Sequence, residues 1–179
     1  MAINIFEWDG KHFQVFWLVQ YEIDFLKDIT SATVITKLKR HFSVHGSPHL
    51  LISDNARQYT SQKFRDFAAQ WDFTHITSSP EFPNCNGLAE RAVQSAKQLM
   101  EKSKRDGTDV LTNLLNLRNI PREGQLGSPA QRLLSRQTRT TLPVSKQLLQ
   151  PDPLKTQQVK KTFSSTTLFN YIIIGNAPR

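Results

Sequence analysis

Leu50-Leu51-Ile52-Ser53-Asp54-Asn55 is an apolar run that ends on an acid, and thirty-five residues lie between its Asp54 and the Glu90 of Asn86-Gly87-Leu88-Ala89-Glu90-Arg91. A short apolar run closed by turn formers reads as a buried strand. The second stretch follows a Pro80 to Gly87 loop and opens an amphipathic helix, with Glu90 in its first turn. A strand end and a helix start can aim two carboxylates at one divalent cation, and oxygen-only ligands suit Mg²⁺. Without the Glu90 spacing, the favoured reading of Asp54 is a cap of the strand-to-loop turn with Asn55.

Working outward from this pair gives an alternation of elements. Residues 2 to 8 read as a strand, and Asp9-Gly10 as a hairpin turn because Gly tolerates the positive φ required there. A second strand starts at His12. Phe13 to Leu26 holds fourteen residues without Gly, Pro or Asn, which as one strand would span about 46 Å at roughly 3.3 Å per residue. That is too long for a domain of this size, so a second turn is expected near Gln20, strained or slipped, with irregular register around it. Thr30 and Ser31 suit helix N-caps, Val34, Ile35, Leu38 and Phe42 share one face, and Gly46 and Pro48 close the helix. Leu50 to Asp54 is then expected as the central parallel strand. Ser61 caps a helix bearing Phe64, Phe67, Ala68 and Trp71, and Phe73 to Ser78 reads as the last strand. Three antiparallel strands followed by helix, strand, helix, strand make an α/β pattern.

A helix over 88–105 turns Ala89, Ala92, Val93, Ala96, Leu99 and Met100 inward and sets Glu90, Gln94, Lys97 and Glu101 along another stripe. Asp109 is expected to cap a helix through Leu117, and Ser128 a short one at Pro129 to Ser135. Pro143, Pro151 and Pro153 interrupt any helix beyond Thr138.

The 179 residues suffice for one domain and a tail, and a domain near 150 residues buries roughly 70% of the surface its unfolded chain exposes. No apolar run is long enough for a membrane span, and the start Met1-Ala2-Ile3-Asn4 lacks the basic and apolar regions of a signal peptide. A soluble, intracellular protein with no membrane partner is expected. Cys85 is alone, so no disulfide forms within the chain, and the five His residues show no zinc-finger spacing. The net charge of +8 is unevenly placed: residues 1–90 carry eight Lys/Arg against ten Asp/Glu, a balance of −2, and residues 91–179 carry fifteen against five, a balance of +10. A basic flank beside an acidic metal-type pair suits a phosphodiester substrate, because phosphate neutralisation supplies most non-specific nucleic-acid affinity. A solvated basic surface without a partner is the plainer alternative. Arg91, Gln94, Lys97 and Lys104 are the candidate nucleic-acid contacts on the helix that carries Glu90.

In order along the chain, Ile52-Ser53-Asp54-Asn55, Gln58-Tyr59, Ser78-Ser79-Pro80, Pro83, Asn86-Gly87, Ala89-Glu90, Arg118-Asn119, Pro121 and Ser128-Pro129-Ala130 resemble the catalytic core of retroviral and retrotransposon integrases. The likeness is strongest to the gypsy-type retrotransposon branch and covers residues 2 to about 150. It implies a ribonuclease H-like α/β fold, a five-stranded mixed sheet flanked by helices. The implied activity is DNA integration by polynucleotidyl strand transfer, in which three carboxylates, a DDE triad, hold two Mg²⁺ ions (or Mn²⁺). Asp54 and Glu90 would be the second and third carboxylates and metal ligands. The family's first Asp falls in an opening Val-Asp-Leu-Phe-like strand, and here Ile3-Asn4-Ile5-Phe6 takes that place, so neutral Asn4 replaces the bridging acid. Activity is expected to fall by orders of magnitude. Glu7 and Asp9 have the opposite strand parity from Asn4 and Asp24 lies on the third strand, so none is expected to substitute.

Phe82, Cys85 and Ala56 depart from residues that are usually His, Ser and Gly in the family. Implied partners are DNA and further copies of the chain, in the nucleus. The expected organisation is a core over 1–136, a proline-containing linker over 137–154 and a tail over 155–179 unrelated to the family. His41 and His75 are expected as ordinary surface or core-edge residues.

Overall fold

The computed structural model describes residues 1–18, 20–77, 83–121 and 127–152, with the backbone alone for 83–88. Three antiparallel strands come first: β1 (Ala2–Trp8), β2 (Lys11–Trp17) and β3 (Tyr21–Leu26). Asp9 (φ 53°) and Gly10 (φ 68°) both take the left-handed conformation of a tight hairpin, the geometry that matches strand twist. The second turn is shorter than the fourteen-residue run suggested. Register runs unbroken from His12↔Leu26 to Trp17↔Tyr21, so the expected slip near Gln20 does not occur. Trp17 pairs with Tyr21 across the turn, and the Leu18 N–H donates to Gln20 O at 3.0 Å.

Helix α1 (Ser31–His45) is capped by the Thr30 side chain, which accepts from the Thr33 N–H, and it ends at Gly46 with φ 84°. Such a cap is worth about 1 kcal/mol. Strand β4 (Leu50–Ser53), the short helix α2 (Arg57–Thr60), α3 (Gln62–Gln70) and β5 (Thr74–Thr77) follow. The sheet order is β3-β2-β1-β4-β5. β1 therefore holds the central place, and β4 lies beside it, parallel to both β1 and β5. Ser78 lies outside the described residues.

Register assigns the faces, because directly paired residues project to the same side. Ile3 pairs with Phe16 and Phe16 with Glu22. Phe16 meets α1, stacking on His41 at 4.8 Å and tilting against Phe42. Phe42 also packs on Phe67, Trp71 and Phe73, so α1 and α3 cover this face through one aromatic cluster. The other face carries Asn4, Phe6, Val15 and Ile23, with Phe6 stacked on Phe13 and Phe13 edge-on to Phe25.

Helix α4 (Pro83–Asp106) begins seven residues before Glu90, earlier than the loop expected up to Gly87. Pro suits the first helical position because its missing N–H has no intrahelical role there. Glu90 therefore lies in the third turn, not the first. Ala89, Ala92, Ala96 and Met100 are buried as expected, with Ser103 joining them, whereas Val93 and Leu99 are half-buried.

The described residues form two compact units, Met1–Ala96 and the stretch from Lys97 onward. In the second, Asp109 caps α5 (Val110–Arg118), and the Asn113 amide donates to Ser103 and Thr108. Ser128 and Gln131 form a reciprocal capping box on α6 (Pro129–Leu134), which satisfies two helix-start donors at once. The proline-containing segment is tied back: Asn119 bonds Thr138 through backbone and side chain, and the Asp152 N–H donates to Ser135 O. A single 3₁₀ turn occupies Lys146–Leu149. Residues 155–179 lie outside the described ones.

Candidate active site

The site grows from the pairing of β1 with β4. The Met1 ammonium donates to Leu50 O at 2.7 Å, the Ile52 N–H donates to Met1 O at 2.9 Å, and Ala2 is in parallel register with Ile52. Two residues further on come Asn4 and Asp54. Asn4, within β1, lies on the face opposite α1, and Asp54 is the residue that follows β4.

Asp54 follows directly on Ser53 at the end of β4. Its Oδ1 accepts the Ala56 N–H at 3.1 Å, a side-chain turn that mimics a backbone one. One oxygen of this carboxylate therefore holds the turn. Ala56 has φ −71°, an ordinary conformation for a residue with a Cβ, so glycine is not required there. Burial pushes the Asp54 carboxyl above its usual range, against the opposing hydrogen bond from Ala56. A carboxylate that is costly to ionise in isolation gains when a cation approaches.

Behind it, Ser53 is buried and its hydroxyl donates to Asp54 O at 2.7 Å. With that proton engaged, His75 Nε2, 2.9 Å from Ser53 Oγ, serves as the donor of the pair. Burial holds the His75 ring below its ordinary pKa, and the ring also packs on Phe64. His75 is thus a tie between β4 and β5 and not an ordinary edge residue. His41 likewise bonds Asp24, on the α1 face with Gln14, which takes Asp24 away from Asn4. Glu7 has the parity of Ile3 and Ile5 and also lies on the α1 face.

Glu90 is exposed on α4, as are Arg91, Gln94, Lys97, Glu101 and Lys104. Asn4 belongs to β1 and Asp54 follows the end of the neighbouring β4, while Glu90 belongs to the separate helix α4. Among the described residues no group of three or more His, Cys, Asp or Glu side chains is placed to hold a metal ion. Phe82 lies outside the described residues, and of Cys85 only the helical backbone is described. Among the described residues, no helix is long and apolar enough to cross a membrane.

No protein-family model matches the chain. The solved structures similar to it include the catalytic core domain of the BIV integrase, with a TM-score of 0.61 and 20% identity, covering 75% of this chain and 93% of that one. The chain has the integrase catalytic-core fold. A second core of this fold, the HTLV-2 integrase catalytic core domain in complex with magnesium in a trimeric form, gives a TM-score of 0.57 at 19% identity, over 73% of this chain and 93% of that one. Sequence relatives point the same way. An uncharacterised protein of Caenorhabditis elegans is 36% identical over 126 residues, 68% of this chain. The Pol-related polyprotein of the mouse intracisternal A-particle MIA14 is 35% identical over 121 residues, 61% of this chain. The integrase-like core spans only 10% and 14% of the length of these two relatives.

Two features of the integrase-like core escaped sequence reasoning. Helix α2 is four residues long, too short for a periodic signal, yet it delivers Tyr59 to the core. The Ser53–His75 tie joins residues twenty-two apart, which strand prediction alone does not pair.

Proposed function

We propose that this chain is a degenerate integrase core of a gypsy-type element, whose ancestral reaction is Mg²⁺-dependent DNA strand transfer and whose surviving activity is nucleic-acid binding. The observation that supports this reading is the parallel pairing of Ala2 with Ile52, two residues before Asn4 and two before Asp54, where the family likeness calls for two carboxylates. Asp54 and Glu90, with the amide oxygen of Asn4, offer a donor set suited to one weakly held Mg²⁺ or Mn²⁺ and not to a pair of ions. When bound, such an ion activates water or a DNA 3′-hydroxyl and stabilises the leaving oxygen of an in-line phosphoryl transfer. In this chain Asp54 orients through the Ala56 N–H, Glu90 approaches from α4, and Asn4 contributes no charge. The missing negative charge lowers metal affinity and with it the rate.

DNA is the proposed partner, met along α4 by Arg91, Gln94, Lys97 and Lys104, whose flank belongs to the half of the chain with the +10 balance. Such contacts to phosphate give affinity without sequence preference. The HTLV-2 core described in a trimeric form supports self-association as a further property, and a DNA partner implies a nuclear location. Asn4 itself favours one rival, a scaffold or interaction domain that uses the fold without chemistry, or a decayed fragment of an element. Calorimetric titration with Mg²⁺ tests the reading. Wild type is expected to bind weakly and Asn4→Asp at least about tenfold more tightly. Equal affinity for the two would contradict the assignment of Asn4, and duplex binding indifferent to salt would favour the scaffold.

A further inference from the structure

We propose that the aromatic row Trp8, Phe13 and Phe25 is a stacking surface for the unpaired bases of a single-stranded nucleic acid, with Lys11 and Lys27 meeting its phosphates. The proposal rests on the reading of the chain as a nucleic-acid binder and names the form of nucleic acid and the face that takes it.

Strand pairing builds the row. Phe6 pairs with Phe13 and Phe13 with Phe25, so three rings stand side by side across β1, β2 and β3 on the face opposite α1. Phe6 stacks on Phe13 at 5.7 Å, and Trp8 and Phe25 each meet Phe13 edge-on, at 6.4 Å and 5.8 Å. Exposure grows outward along the row. Phe6 is buried, Trp8 and Phe13 are half-buried, and Phe25 on the edge strand is 48% exposed. A lone exposed Phe is ordinary on a protein surface, but Phe25 is the open end of a continuous aromatic surface, which marks an interaction site.

Charge selects the occupant. β1, β2 and β3 contain four Asp, Glu, Lys or Arg residues. Alternation sends Glu7, Glu22 and Asp24 to the α1 face and leaves Lys11, paired with Trp8, as the one charge on the aromatic face. Lys27 directly follows β3 and is exposed. Asp28, next in the chain, is turned into the start of α1, where its Oδ1 accepts from the Thr30 N–H and from the hydroxyls of Thr30 and Thr33. Rings flanked by cations suit bases and phosphates together, because every base has a face to stack and the backbone is anionic. A duplex keeps its bases stacked inside, so only unpaired bases reach the rings. Asn4 is the next residue on this face after Phe6, roughly 6.6 Å away along β1, so a strand lying on the row runs toward the candidate active site.

Fluorescence anisotropy tests the row by comparing a labelled oligothymidylate with an abasic strand of equal length, which carries the same phosphates and no bases. Wild type is expected to bind oligothymidylate on the order of tenfold more tightly. Phe25→Leu keeps apolar bulk at an exposed position and removes the ring, so the fold is expected to survive, confirmed by an unchanged thermal midpoint, while most of that tenfold preference is lost. Phe25→Trp is expected to retain it. Lys11→Ala is expected to lower the slope of log affinity against log salt by about 0.7. Equal affinity for the two strands overturns the proposal, and so does full oligothymidylate affinity in Phe25→Leu. Loss of self-association in Phe25→Leu with oligothymidylate affinity unchanged would assign the row to a second copy of the chain and also overturns it. Oligothymidylate binding that depends on Phe25, beside a duplex that does not bind, would defeat the duplex contacts along α4 and leave the row standing. Duplex binding through Lys97, with oligothymidylate held no better than the abasic strand, overturns the row and leaves α4 standing.

Discussion

His75 Nε2 lies 2.9 Å from the buried Ser53 hydroxyl, which in turn donates to the carbonyl of Asp54. This chain of two bonds ties β5 to the last residue of β4 and so fixes where the candidate ligand leaves the sheet. Burial holds the His75 ring below its usual 6.5. The folded state therefore binds fewer protons than the unfolded one as pH falls through 6.5, and stability is lost from that point downward. The thermal midpoint is expected to drop between about pH 7.5 and about pH 5.5, and to drop less in His75→Gln. Identical pH dependence in both proteins would show that His75 is not the titrating group.

Asp54 gives the opposite sign. Its folded pKa is raised by burial, so stability is highest when the carboxyl is protonated and is lost as pH rises through the unfolded value of 3.8 toward the folded one. At neutral pH the charge is a standing cost. Asp54→Asn keeps an acceptor for the Ala56 N–H and is expected to raise the metal-free midpoint by on the order of 2 °C, a gain that vanishes near about pH 3. A lower midpoint at neutral pH would show that the carboxylate stabilises the turn more than burial penalises it.

Phe42 joins α1 to both neighbours of its layer, with ring contacts to Phe16, Phe67, Trp71 and Phe73. Replacing it with Ala is expected to cost about 3–5 kcal/mol, measured by urea unfolding. A loss under about 1 kcal/mol would mean that the cluster collapses around the gap.

Lys97 is exposed on the same helix as Glu90. If it meets a phosphate, Lys97→Ala lowers the slope of log affinity for duplex DNA against log salt by about one unit, with little change in sequence preference. An unchanged slope would show that the side chain only covers the helix surface.

Much of this arrangement was legible in the sequence, and the exceptions have physical reasons. Caps such as Thr30, Ser61, Asp109 and Ser128 mark helix starts by local hydrogen bonds, which depend on a few adjacent residues. The run from Phe13 to Leu26 misled because it contains no turn former, although strand pairing such as that of Trp17 with Tyr21 can impose a reversal. The start of α4 was placed late because Asn86-Gly87 reads as a turn, and the helical backbone overrides that preference. Asp54 and Asn4 were singled out by motif and position. His75 and the bonds of Ser53 were not, since they rest on distances across elements that no local pattern encodes.

The replacement of the family's first carboxylate by Asn4 is the central claim, and Mg²⁺-dependent strand transfer is its most direct measure. Wild type is expected to join no DNA ends, Asn4→Asp to gain measurable joining, and Glu90→Gln in that background to abolish it. Wild-type joining that Glu90→Gln removes would contradict the account, because Asn4 would then be compatible with catalysis.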